Sequence, residues 1–190
     1  MWDGSISATS HPDDLGAILT YAADMLRPPD PNPSDSSPSD FTVRALGRVS
    51  SSRRDAIDDD WGPIESTITL CDPMGADSIR GLDGFSHLEV IYLFDRVDPT
   101  AVHIGARVPR GNPAWPEVGI LAQRARNRPN RLGLATCELI GTDGATIRVR
   151  GLDAIDGTPV LDIKPFMTEF SPRTEVSQPA WSHELMSGYY

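Results

Sequence analysis

From residue 41 the pattern of apolar and polar positions takes on the texture of short β-strands. "FTVRALGRVS" (41–50) alternates, and "ESTITLCD" (65–72) is rich in β-branched residues. "HLEVIYLFDRV" (87–97) carries a nearly continuous apolar stretch, the pattern of a strand covered on both faces. "LATCELIGTDGATIRVRGLDAI" (134–155) reads as two strands around a turn at Thr142-Asp143-Gly144, because Asp-Gly is a strong hairpin signal. "PVLDI" (159–163) adds another strand. The pattern is at least six strands joined by short turns, with no helix of about 12 residues regularly between them. That spacing argues against a parallel, doubly wound sheet and for a mainly β fold, an antiparallel barrel or sandwich.

The first forty residues have a different texture. "PDDLGAILTYAADMLR" (12–27) predicts a short amphipathic helix, with Leu15, Ile18, Leu19, Ala22 and Leu26 at helical spacing. Asp13 and Asp14 favour its positive end, and Arg27 sits at its negative end. It is either an inconsequential surface element or an arm that packs on the core or a partner. "PPDPNPSDSSPSD" (28–40) has five prolines, four serines and no large apolar residue, so it reads as a linker. The expected organisation is an acidic arm over 1–40, a β domain over 41–173 and a tail over 174–190.

Charge follows the same division. The chain of 190 residues has a formal net charge of −10. Residues 1–40 hold seven Asp and one Arg, hence −6, which leaves −10 − (−6) = −4 for the rest. Such a surface repels phosphate backbones in general, though a local basic patch is compatible with it. No apolar run approaches the ~20 residues of a membrane span. The opening "MWDGSISATSHPDD" has no signal-peptide character, so a cytoplasmic setting is expected. Cys71 and Cys137 read as reduced thiols, and four scattered histidines without CxxC or HxxxH give a metal site little support.

Three clusters could carry chemistry. In "QRARNRPNRLGL" (123–134), Arg124, Arg126, Arg128 and Arg131 crowd a loop entering a strand. Such a loop suits a carboxylate, a phosphate or a partner's acid, or it is a solvated charge run offsetting nearby acids. In "DGTPVLDIKP" (156–165), Asp156-Gly157 signals a turn, and Thr158-Pro159 sets an extended exit from it. Unpaired backbone groups of such a turn can hold a small ligand. Asp162 and Lys164 share one strand face, where they either pair as a surface ion pair or flank a pocket. In "RGLDGFSHLEVIYLFDR" (80–96), Asp95 and Arg96 close the apolar strand, a common place for site residues. His87 reads as structural. No GxSxG, GxGxxG or GxxxxGK[ST] occurs, which removes a serine-hydrolase elbow and the common nucleotide-binding glycine loops.

In order, "RGLDGFSHLEVIYLFD", "RPNRLGL" and "GLDAIDGTPVLDIKPF" resemble the TrmO (TsaA-like) family over about residues 44–173. Its members are S-adenosylmethionine-dependent methyltransferases that modify threonylcarbamoyladenosine beside the tRNA anticodon. The resemblance implies a small antiparallel or mixed β-barrel with short helices, to which this chain adds its N-terminal helical arm, and a homodimer with S-adenosylmethionine near the subunit interface. It assigns cofactor contacts to Arg124, Leu134, the turn Asp156, Gly157, Thr158 and Pro159, the strand-end pair Asp95 and Arg96, and approximately Asp59, Asp60 and Trp61. Arg126, Arg128, Asn130 and Arg131 become candidate acceptor contacts.

The departures are also legible. The family's "FATRSPFRPNPIG" is "LAQRARNRPNRLG" here, and its "DIKPY" ends in Phe166. The Pro-Arg-Gln-like tripeptide after the first strand is replaced by "RRDAIDDDWGP". Methyl transfer from a sulfonium is an in-line displacement that depends mostly on positioning and desolvation. An amide-like acceptor nitrogen must lose a proton, with Asp162 and Asp95 as candidate bases and Lys164 as an orienting group. The sequence supports three functions: a tRNA methyltransferase, a methyltransferase acting on a small molecule in specialised metabolism, or a non-catalytic cofactor-binding or scaffold protein whose arm recruits a partner.

Overall fold

The computed structural model describes residues 40–190, and the chain divides into two units, Met1–Phe41 and Thr42–Tyr190. The helix expected at 12–27 lies outside the described residues. In the second unit the strands are β1 (Gly47–Ser51), β2 (Glu65–Leu70), β3 (His87–Leu93), β4 (Ala106–Arg107), β5 (Val118–Gly119), β6 (Leu132–Asp143), β7 (Thr146–Arg150) and β8 (Pro159–Pro165). Six of them close a barrel in the order β1-β2-β7-β6-β3-β8, while β4 and β5 pair apart. Every barrel pairing is antiparallel.

Alternation builds the core. Leu88, Val90 and Tyr92 of β3 point inward and are at most 1% exposed. They meet Ala135 and Cys137 of β6, Ile147 and Val149 of β7, and Val160 of β8 in one buried cluster. Each buried Val, Ile or Leu contributes roughly 1.5–3 kcal/mol of transfer free energy. The outer face of β3 departs from the expectation of a strand covered twice. Ile91 and Leu93 are only half-buried, and their partners across the pair, Leu134 and Leu132, are 43% and 41% exposed. The continuous apolar run therefore has one face in the core and one on the surface of this chain.

Antiparallel order fixes where the connections emerge. Three long ones (52–64, 94–131 and 151–158) leave the same end of the barrel, called here the loop end. The opposite end carries the connection 71–86, the tight turn at Gly144 (φ +56) and the chain leaving β8. The segment expected as a tail contains a helix, α1 (Ala180–Met186), and returns to the loop end. There Asp60 N donates to Gly188 O at 2.9 Å and Trp61 N to Tyr189 O at 2.8 Å. Trp115 Nε1 donates to Glu184 Oε2 at 2.8 Å.

Candidate functional site

The loop end gathers most of the chemistry-bearing residues. Asp156 is locked by two bonds: its N–H donates to Arg53 O at 2.7 Å, and its Oδ1 accepts from Ser51 N at 3.1 Å. Gly157 follows in the left-handed region (φ +84), with its N–H on Val49 O at 2.8 Å. Thr158 and Pro159 are buried as the chain enters β8. Arg96, delivered by the end of β3, clamps this turn: Nη2 donates to Asp156 O at 2.7 Å and Nη1 to Arg54 O at 3.1 Å. Asp95 precedes it at the same strand end.

The loop 52–64 forms a second wall. Arg53 stacks over the Trp61 ring at 4.7 Å and donates from Nη2 to Asp60 O at 2.6 Å. Its buried Nη1 has no hydrogen-bond partner among the described residues. Trp61 is 3% exposed, and Asp60 adopts φ +60. Asp59 is held by a two-point contact with Arg110, at 2.7 and 3.1 Å.

The arginine loop forms the third wall. Arg124 donates to Leu134 O, Arg126 to Ala56 O at 3.3 Å, Arg128 to Gln123 O at 3.1 Å and Arg131 to Val97 O at 2.9 Å. Their partners are backbone carbonyls. Among the described residues none of these arginines, nor Arg96, forms an ion pair with a carboxylate. A guanidinium has five donors, so each keeps N–H groups and an unpaired positive charge for an anionic ligand. Asn130 lies in the same loop, before β6.

Asp162 and Lys164 lie elsewhere. They pair at 2.5 Å on the outside of β8, opposite Ile91 and Glu89 of β3. Lys164 is five residues beyond Pro159, roughly 17 Å along a strand. Glu89, Lys164, Pro165, Met167 and Phe170 line a cavity of about 210 Å³ there. That volume is below the roughly 300–1,000 Å³ of typical small-molecule sites. Among the described residues no group of three or more His, Cys, Asp or Glu could hold a metal ion. No helix among them is long and apolar enough to cross a membrane.

Residues 60–171 match the family model of the tRNA-methyltransferase O N-terminal domain. The chain belongs to the TrmO N-terminal-domain family. A human tRNA (adenine(37)-N6)-methyltransferase is 33% identical over 113 residues, covering 60% of this chain and 25% of that protein. A probable S-adenosyl-L-methionine-binding protein of Archaeoglobus fulgidus is 40% identical over 94 residues, covering 50% of this chain and 24% of that protein. This chain thus spans about a quarter of those two relatives. The crystal structure of TrmO from Pseudomonas aeruginosa superposes with a TM-score of 0.62 at 23% identity, over 77% of this chain and 64% of that one. It shows the same fold.

The TrmO-family match begins at residue 60, so most of the loop 52–64 lies ahead of it. That loop is where the sequence departs from the Pro-Arg-Gln pattern. The TrmO-family barrel also contains a group that sequence reasoning passed over. Tyr92 Oη donates to Asp153 Oδ1 at 2.7 Å, and Tyr189 Oη donates to Asp153 Oδ2 at 2.6 Å. Burial pushes both phenols well above their ordinary value of 10.0, and the Asp153 charge pushes them further in the same direction. Both therefore remain donors at neutral pH. Asp153 stands inside the quoted motif "GLDAIDGTP", which was the available signal. Nothing in the sequence linked it to Tyr189.

Proposed function

We propose that this chain is an S-adenosylmethionine-dependent methyltransferase whose acceptor is N6 of threonylcarbamoyladenosine in tRNA. The observation that carries the reading is the convergence of three walls at one barrel end in a TrmO-family domain: the Asp156–Pro159 turn, the 59–61 loop and the 124–134 segment. The names of the human and archaeal relatives supply the chemistry. The cofactor, when bound, supplies an activated methyl group. Gly157, without a side chain, leaves the turn open to close approach, and Arg96 and Asp156 hold that turn rigid. Arg124 fixes the backbone at Leu134 beside it. Arg126, Arg128, Asn130 and Arg131 offer donors to acceptor phosphates. Asp95 at the loop end takes the proton from the acceptor nitrogen; Asp162 with Lys164, outside β8 and away from the three walls, is the alternative base where a second subunit brings the acceptor to that face.

The reading includes a homodimer in a cytoplasmic setting. Ile91, Leu93, Leu132 and Leu134 form an outward apolar stripe across β3 and β6. A second copy covering it would set Asp162 and Lys164 at the junction of two subunits. A small-molecule acceptor is the second reading, favoured by the net charge of −10 and the altered loops.

Calorimetry with S-adenosylmethionine and S-adenosylhomocysteine tests the cofactor site. Asp156→Ala and Arg124→Ala should each weaken binding tenfold or more, about 1.4 kcal/mol. Methyl transfer to tRNA should then fall steeply with salt. Transfer to a small acceptor but not to tRNA would select the second reading. No cofactor binding by the intact chain would leave the scaffold function.

A further inference from the structure

Asp153 is a carboxylate held by hydroxyl groups. Among the described residues it forms no ion pair, and its two oxygens accept from the phenols of Tyr92 and Tyr189. The two donors differ in kind. Tyr92 belongs to the barrel: it is 1% exposed, packs edge-on to Phe94 at 5.2 Å, and lies against Gly133. Tyr189 is brought by the returning segment Pro179–Tyr190, which meets the loop end through few bonds. Two of these run from the backbone of Asp60 and Trp61, residues of the candidate cofactor wall. The Tyr190 ring stands edge-on to Tyr189 at 5.0 Å and is 59% exposed. The strap therefore places the Tyr189 ring and hydroxyl against Asp153 at the loop end.

A carboxylate that accepts from neutral hydroxyls, with no cation against it, is suited to sugar hydroxyls. We infer that Asp153 is a positioning residue for a ribose hydroxyl of the nucleoside cofactor, and that the segment Pro179–Tyr190 is a displaceable strap whose Tyr189 phenol occupies that place until cofactor binds. The inference rests on the cofactor reading above. Exchange of one hydroxyl donor for another keeps the half-buried Asp153 satisfied in both states, so displacement does not strand its charge without a donor. It exposes the Asp60 and Trp61 N–H groups, two donors on the wall the ligand would face.

The test uses the full chain and two variants outside the proposed cofactor contacts. Glu184→Gln weakens the bond to Trp115, and Tyr189→Phe removes the hydroxyl from Asp153 while keeping the ring. Both should tighten S-adenosylhomocysteine binding about three- to tenfold by calorimetry. Hydrogen exchange adds a readout that a merely structural strap would not move: on addition of S-adenosylhomocysteine to the unaltered chain, amides of 180–190 should exchange faster. Equal or weaker binding by both variants, or slower exchange of the strap with ligand, overturns the inference and leaves the cofactor site standing. No binding by the unaltered chain or by either variant overturns the cofactor reading and this inference together.

Discussion

Gly157 and Gly133 are required for different physical reasons. At Gly157 the requirement is backbone conformation: φ +84 is costly for a residue with a Cβ, and Arg96 Nη2 stands 3.6 Å from where that atom would be. Gly157→Ala should cost about 1 kcal/mol or more in urea unfolding and weaken cofactor binding, because the turn must shift. At Gly133 the requirement is space: a Cβ would lie 2.3 Å from the Tyr92 ring. Gly133→Ala should therefore destabilise by roughly 1–3 kcal/mol and disturb the Tyr92–Asp153 bond. Cys137 illustrates burial at the same scale. Desolvation, with the Asp153 charge adding to it, pushes its thiol up to about 12. Mass spectrometry after brief alkylation near pH 8 should find label on the half-buried Cys71 and none on Cys137. The motif "DGTP" was readable as a turn because Asp-Gly and Thr-Pro are local signals. The Tyr92–Asp153–Tyr189 group was not, because its members are 61 and 36 residues apart in sequence.

At the scale of elements, β-branched content marked β2, a continuous apolar run marked β3, short apolar segments marked β6, β7 and β8, and Asp143-Gly144 marked the hairpin between β6 and β7. The first strand is shorter than the alternation over 41–50 suggested and is displaced toward its end, Gly47–Ser51. The two-residue strands β4 and β5 were invisible, because so short a pairing is set by the surrounding loop and leaves no period to read. The placement of β8 between β1 and β3 is likewise a tertiary fact. One consequence of the element packing is a dependence on alkaline pH. Tyr92, Tyr189 and Tyr190 all have raised values, from burial first and Asp153 second. A raised folded value means that the folded state holds its phenolic protons more tightly than the unfolded chain. That stabilisation is complete below the unfolded value near 10.0 and declines as pH rises above it. The urea midpoint should thus be lower near pH 10.5 than near pH 8.5, and Tyr92→Phe should reduce the difference. A midpoint that rises over this interval would contradict the assignment.

For the molecule as a whole, the barrel leaves an unresolved surface demand: the stripe of Ile91, Leu93, Leu132 and Leu134 faces outward. Leu132→Asp with Leu134→Asp should convert a dimer to a monomer in sedimentation velocity, with the far-ultraviolet circular dichroism retained. A monomeric unaltered chain at tens of micromolar would refute the proposed dimer. The net charge of −10 shaped an expectation against nucleic acid, yet it did not show that the loop-end arginines are spent on backbone carbonyls and keep their charge. A total charge carries no spatial information.

The closure of the barrel through β8 bears on how the chain is made. β8 pairs with β1 on one side and β3 on the other, so both strands present open edges until residues 159–165 have left the ribosome. Most of the described chain must be synthesised before the last seam can zip. Long-range pairing of that kind folds slowly, and unpaired edges recruit other strands. Nascent chains stalled before residue 159 should accordingly engage chaperones or aggregate, whereas chains stalled with Pro165 well clear of the exit tunnel should resist protease.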